Sequence, residues 1–427
     1  MKRKNGVLFI IFIISTSSVL LNLSVSAEVI NKSLSSIIDD AKESHIVKNV
    51  PYVSQVTNFY CRFASITMLI KYHVDDVDLK EILYNSGIGY SVLYFHPIKL
   101  QPRPGVFVCQ LGDYTGKSLA PLYGLSHDIW RAKPTTDKWS QYWPKLKEKI
   151  KQDLPVLTDL DALSLTKYKE YFNPPNGKTS THSVVIVGFN ETAGLVYYSD
   201  PGLALLGEEE KNCLYVPLSI DEFKEALKNN DLPNSGYMIE TFENISNPMS
   251  KEVAFNLSHK RNIDRLSGKY SDLLLKIIPL TNYGIRAVKA MKKDLRIGLT
   301  HRFATLLLMK FYKLINYTIP VDYKSLKGKL RSSVKYEYIS IEKLNISQYL
   351  IENQHLSPLC VKEAALLAGE AKHWINMSIL DNELFKASYN GPIKTWIISK
   401  PIIEKMKKEL EEIIFIEKEI IELKERS

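Results

Sequence analysis

The feature that most constrains this 427-residue chain is a change of structural period near its middle. Up to about Pro248, short β-rich runs are separated by turn residues and alternate with helical stretches. The runs are Val156 to Thr158, Ser183 to Phe189, Leu195 to Tyr198, Leu214 to Val216 and Tyr237 to Glu240. Arg62 to Tyr72 and Lys138 to Gln152 read as helices between them, and a third starts at Ser219, with Glu222 placed to close a capping box. Beyond Pro248 the strand signal fades. The clearest segments there are helical: Leu273 to Ile278, Gly284 to Met291, Arg302 to Ile315, Val361 to Asn376 and Ile402 to Leu423. In the last, Ile403, Met406, Leu410, Ile413 and Ile420 lie near coiled-coil spacing with Glu417 interrupting, which over so few heptads predicts a docked amphipathic helix. The pattern predicts an α+β domain over residues 45–248 followed by a mostly α-helical domain over 249–427.

Charge divides the chain at the same place. Hydrophobic residues make up 45% and Gly and Pro number 19 each, which excludes disordered, collagen-like and low-complexity classes. The formal net charge of +9 is a sum of unlike halves: residues 28–250 carry −5 and residues 251–427 carry +11. A basic helical domain suits an acidic surface partner, such as a cell-surface polymer or an anionic membrane, and equally suits a solvated helical face. Nucleic acid is not expected as a partner, because export and the lack of a recognisable binding motif both count against it.

The first 27 residues read as a secretory signal peptide. Lys2, Arg3 and Lys4 precede an apolar run from Val7 to Ile14 that continues weakly to Leu23, and Val25 and Ala27 offer small residues at a cleavable site. An uncleaved membrane anchor is the alternative, and either reading sends the body of the chain out of the cytoplasm, secreted or attached to the cell envelope. Sequons at Asn31, Asn190, Asn244, Asn256, Asn316, Asn345 and Asn376 fit export, although so permissive a tripeptide also arises by chance.

The residues that carry chemistry are Gln55, Cys61, His182 and Asp200. Cys61 stands directly before the helix that begins at Arg62, where unpaired amides lower a thiol's pKa. Gln55, six residues earlier, can return its side-chain amide to the same pocket as an oxyanion donor beside the backbone N–H of Cys61. His182 opens the run Ser183 to Phe189, a turn follows at Asn190 to Gly194, and a second run ends at Asp200. In a hairpin centred near Glu191 or Thr192, opposed residue numbers sum to about 382–384, which sets Asp200 or its neighbour across from His182. Cys, His and Asp then serve as nucleophile, general base and acid, and orienting carboxylate. Each residue alone has a plain structural reading: a small buried hydrophobe, a satisfied strand-end histidine, a turn aspartate.

The blocks "VPYVSQVTNFYCRFASITMLIKYH" and "HSVVIVGFNETAGLVYYSDPG" resemble the papain-like bacteriocin-leader-processing peptidases. Their pattern is Gln, a Cys at a helix start, a His before a hydrophobic strand, then Asp-Pro. The chain is similar, more closely, to the N-terminal domain group of butirosin biosynthesis protein H, an acyltransferase-type relative, through "YNSGIGYSVLYFHP", "LPVLTDLDALSLTKY" and "NYGIRAVKAMKKDL". The resemblance implies a papain-like fold for the first domain, with Cys61 as nucleophile, His182 as base, Asp200 as orienter and Gln55 in the oxyanion hole. One position departs from that pattern, since Arg62 stands where a Gly usually follows the Cys. Arg62 either supports the thiolate, binds an acidic group of the substrate, or crowds the acyl pocket.

No cofactor or metal is expected. His73, His96 and His127 are scattered, and Asp75, Asp76 and Asp78 read as a solvated turn. Cys109 and Cys213 lie in the same expected domain, where an oxidising compartment would allow one disulfide between them, and Cys360 reads as buried. The expectation is an exported thiol-dependent peptidase or amidase acting on a peptide, acyl-amide or thioester through an acyl-cysteine. The alternatives are an acyltransferase and an inactive papain-fold surface-binding protein.

Overall fold

The computed structural model describes residues 44–56, 60–90, 92–95, 105–108, 113–134, 137–171, 180–230, 236–268, 281–283, 285–293, 295, 336–387 and 392–425. The expected signal segment, the helices at 273–278 and 302–315, and Cys109 lie outside them. Among the described residues no helix is long and apolar enough to cross a membrane. The fold is α+β, as the change of period predicts.

The chain forms two compact units that interleave along the sequence. One takes the residues up to Tyr72 together with Asp128–Thr241, and the other takes His73–His127 and Phe242–Ser427. The chain passes between units near residues 72, 127 and 241.

The first unit is built on a seven-stranded sheet. Its strands are β1 (Ser44–Ile46), β4 (Leu125–Arg131), β5 (Val156–Asp161), β6 (Thr181–Asn190), β7 (Leu195–Ser199), β8 (Val216–Ser219) and β9 (Met238–Asn244). The order is β4-β9-β5-β6-β7-β8, with β1 paired to β6. The described pairings are antiparallel. β6 is the central strand for function. His182 to Phe189 are all buried, which explains the unbroken β-branched run Val184 to Val187. β5 is buried along its whole length, so Asp159 and Asp161 enter the interior as passengers of the strand.

Two expected elements shift. The run at Leu214 to Val216 begins its strand only at Val216, because Tyr215 sits in the left-handed region at φ 51° and cannot join a ladder. The capping box at Ser219 is half closed. Ser219 accepts from the Glu222 backbone N–H at 3.2 Å, but the Glu222 carboxylate accepts from Thr166 N–H instead of reaching back.

α1 (Cys61–His73) covers the sheet, and Arg62 through Ile70 are all buried, the mark of an enclosed helix. α4 (Trp139–Lys151) packs on β1, β5 and β6, α6 (Ile220–Lys228) packs on β5, β7 and β8, and α5 (Thr166–Tyr171) follows β5.

The second unit is mostly helical. It contains α2 (Leu79–Ser86), α3 (Asp113–Leu119), α7 (Lys251–Leu266), α8 (Tyr336–Glu352), α9 (Cys360–Ala387) and α10 (Pro392–Glu425). A small three-stranded sheet in the order β10-β2-β3 joins β2 (Val92–Phe95), β3 (Gly105–Val108) and β10 (Thr281–Tyr283). Asp78 caps α2, accepting from Glu81 N–H at 2.8 Å, and Asp76 pairs with Lys251, so these acids of the predicted turn have structural partners. Ile403, Met406, Leu410, Ile413 and Ile420 of α10 are all buried, as expected for a docked helix. Glu417, read from sequence as a break in that stripe, is fully buried too. Cys360 is buried as expected.

Candidate active site

The N-terminus of α1, the start of β6 and the chain just beyond β7 converge in the first unit and bring Cys61, His182 and Asp200 together. The hairpin register explains how. Val185 pairs with Ser199 and Ile186 with Tyr198, both summing to 384, and a bulge near Val187 moves the outer pairs to 385. Asp200 therefore lies just past the end of β7, diagonal to His182, within reach for a carboxylate. His182 Nε2 is 2.7 Å from Asp200 Oδ1.

Further contacts hold the Asp200 backbone and Oδ1, while Oδ2 has no hydrogen-bond partner among the described residues. Its backbone N–H donates to the carbonyl of Cys213 at 2.9 Å, and the Tyr52 hydroxyl donates to its carbonyl at 3.2 Å. Oδ1 also accepts from the Gly202 N–H at 2.8 Å and from the Tyr168 hydroxyl at 3.2 Å. Gly202 is required by this crowding. A Cβ there would stand 2.5 Å from the Tyr168 hydroxyl oxygen and 3.0 Å from His182 Cε1. The Gly in Asp-Pro-Gly thus makes room for the cluster.

The electrostatics favour a charged thiol and imidazole. Burial by itself pushes the Cys61 thiol up, but the hydrogen bond and positive charge of His182, with a backbone hydrogen bond from Ser183, hold it below its ordinary value. Burial works against His182 as an imidazolium. Asp200 outweighs that by charge and hydrogen bond, Cys61 adds to it, and the imidazole is raised to about 10. With Nε2 engaged by Asp200, Nδ1 is the ring nitrogen left for Cys61. A thiolate beside an imidazolium can attack an electrophilic carbonyl and return a proton to the leaving group.

Gln55 is buried in the same unit, and its backbone N–H donates to the carbonyl of Pro201 at 3.0 Å, tying it to the Asp200 segment. Its Oε1 has no hydrogen-bond partner among the described residues.

Arg62 corrects a sequence-based alternative. Its guanidinium turns inward, 8% exposed, pairing with Glu240 and standing 3.6 Å from Asp159. It therefore neither waits for an acidic substrate nor fills an acyl pocket. Asp159 in turn accepts from the Ser183 hydroxyl at 2.5 Å, and Ser65 Oγ donates to the Ser183 carbonyl at 3.2 Å. These contacts connect α1, which carries Cys61, to β9, to β5 and to the start of β6, which carries His182.

Of the expected Cys109–Cys213 pair, only Cys213 lies among the described residues. Cys213 is a free, buried thiol that donates to the Glu209 carbonyl, and its backbone serves Asp200.

Sequence reasoning assigned no role to Tyr168. Its hydroxyl is 3.0 Å from His182 Nε2, a contact that depends on how α5 docks and leaves no trace in local spacing.

Comparison with known families finds one similarity. Residues 47–224 match the Peptidase_C39 like family. Cys61, His182 and Asp200 all fall within the matched segment. The matched segment is thus similar to a cysteine-peptidase-like family, and no curated protein matches the chain. The match does not reach the narrower butirosin-type grouping.

Proposed function

We propose that the chain is a thiol-dependent peptidase or amidase that acts through an acyl-Cys61 intermediate. The observation that carries the reading is the Cys61–His182–Asp200 cluster, in which a thiol lowered by His182 meets an imidazole held at 2.7 Å by Asp200. The Cys61 thiolate attacks the carbonyl carbon of a peptide or acyl-amide, forming the C–S bond as the carbonyl electrons move to oxygen. The Cys61 backbone N–H and the Gln55 side-chain amide receive that oxyanion. The oxyanion collapses, the C–N bond breaks, and His182 gives its proton to the departing amine. Water then attacks the thioester with His182 taking its proton, and the carboxylate product leaves as the thiolate returns. Export through residues 1–27, and attachment to an acidic surface through the basic helical residues, belong to the same proposal.

The test is intact mass on the full chain incubated with acylated amides, with and without added amine. Transient acylation located at Cys61, ending in free carboxylate and absent in Cys61→Ala, is expected. Acyl groups that accumulate and leave only when an amine is supplied would replace hydrolysis by acyl transfer. No acylation with any donor would remove the enzyme reading.

A further inference from the structure

We propose that the Tyr168 hydroxyl is a positioning group of this site, sharing Asp200 Oδ1 with His182 and so tempering the bond that holds the imidazole beside Cys61. The inference rests on the reading of Cys61, His182 and Asp200 given above.

Three observations carry it. The hydroxyl oxygen is 3.0 Å from His182 Nε2 and 3.2 Å from Asp200 Oδ1, so the two side chains meet the same carboxylate oxygen. Tyr168 is buried, and burial beside the Asp200 charge pushes its phenol up, so the hydroxyl keeps its proton and donates it to the carboxylate. Gly202 leaves the space the hydroxyl occupies, since any Cβ there would collide with it.

The chemical consequence concerns proton release. An imidazolium facing a carboxylate that serves it alone holds its proton too firmly to give it to a leaving amine. Each further donor on the same oxygen, the Gly202 N–H at 2.8 Å and the Tyr168 hydroxyl at 3.2 Å, weakens that hold, and Tyr168 is the side chain among them. The other charged or titratable groups near His182 are Cys61 on α1, Asp159 on β5 with its partners Arg62 and Glu240, and Tyr198 beside Asp200.

The test is the rate of Cys61 alkylation by iodoacetamide across roughly pH 5 to 11, a range spanning ordinary His and Cys titrations, on the full chain with the adduct located by peptide mass. The wild-type profile is expected to rise twice, first as the thiolate forms and again as the imidazolium loses its proton. In Tyr168→Phe the first rise stays and the second moves up by roughly one pH unit, the effect of losing one hydrogen bond to a charged group. Placing 3-fluorotyrosine at 168, a stronger donor, moves the second rise down, and this arm decides if the Phe variant does not fold. A second rise that is unmoved, or moves down, in Tyr168→Phe overturns the proposal. Should wild-type Cys61 react no faster than Cys360 near pH 6, the catalytic reading itself falls, before any variant is made.

Discussion

The two units both bury ionised side chains, and they do so for different ends. In the first, Arg62 lies between Asp159 and Glu240, and His182 lies against Asp200, while Cys61 keeps partial exposure at the end of its helix. In the second, Lys343 of α8 pairs with Glu370 of α9 at 2.8 Å, both fully buried, and Trp374 donates to the same glutamate at 2.9 Å. Glu417 of α10 is enclosed beside them. Burial and the neighbouring Glu370 charge push its carboxyl well up, so it holds a proton where an exposed glutamate would not. Glu363 accepts from Tyr90 at 2.7 Å in the same interior. One network therefore leads to the thiol of Cys61, whereas the other links three helices. Buried charge alone is not a sign of catalysis; a neighbouring, partly exposed thiol is what separates the cases.

Removing the central cation from each network gives the largest expected effects. Arg62→Met and Lys343→Met each leave buried carboxylates without a counter-ion, and each is expected to cost about 3–5 kcal/mol in denaturant unfolding. They differ in the second readout. Arg62→Met is expected to change Cys61 alkylation, because its partners reach β5 and Ser183, while Lys343→Met leaves that rate unchanged. Equal effects on Cys61 would erase the distinction.

Gly202→Ala is next. With the new methyl forced against Tyr168 and His182, a loss of about 1–3 kcal/mol is expected, together with slower alkylation of Cys61. Unchanged thermal unfolding and alkylation would mean that the loop has room to spare.

The pH dependence separates the units more gently. His182 is raised in the folded state to about 10, so its contribution is complete below the unfolded value of about 6.5 and is lost as pH climbs through 10. Glu417 is also raised, so the folded chain holds a proton the unfolded chain releases above about pH 4.3, and stability falls as pH rises from there. Glu417→Gln is expected to remove that fall in the helical unit, with an effect near neutral pH smaller than the others. An unaltered slope in pH-dependent urea unfolding would show that Glu417 is ionised in the fold.

Much of the first unit was legible because its signals are local. The β-branched run before the Asn190 turn sets a hairpin, and the hairpin register alone brings Asp200 near His182. Cys61 was readable from its place before an apolar helix. Arg62 was not, because the direction of a long side chain is decided by Asp159 and Glu240, 97 and 178 residues away in sequence. Tyr168 was hidden for the same reason, and Glu417 looked like a break in an apolar stripe because its partners lie on other helices. Tyr215 escaped notice since an αL residue at a strand start has no sequence mark outside Gly and Asn.

The central claim is that His182 makes Cys61 a nucleophile, and thiol alkylation on the full chain tests it most directly. With a substoichiometric alkylator near pH 6, where an ordinary thiol of pKa about 8.5 is well under 1% ionised, Cys61 is expected to take the label ahead of Cys213 and Cys360. His182→Ala should slow that labelling by roughly 10²-fold, the difference between an ordinary thiol and one held as thiolate. Labelling spread evenly over the cysteines, or a Cys61 rate indifferent to His182, would contradict the account.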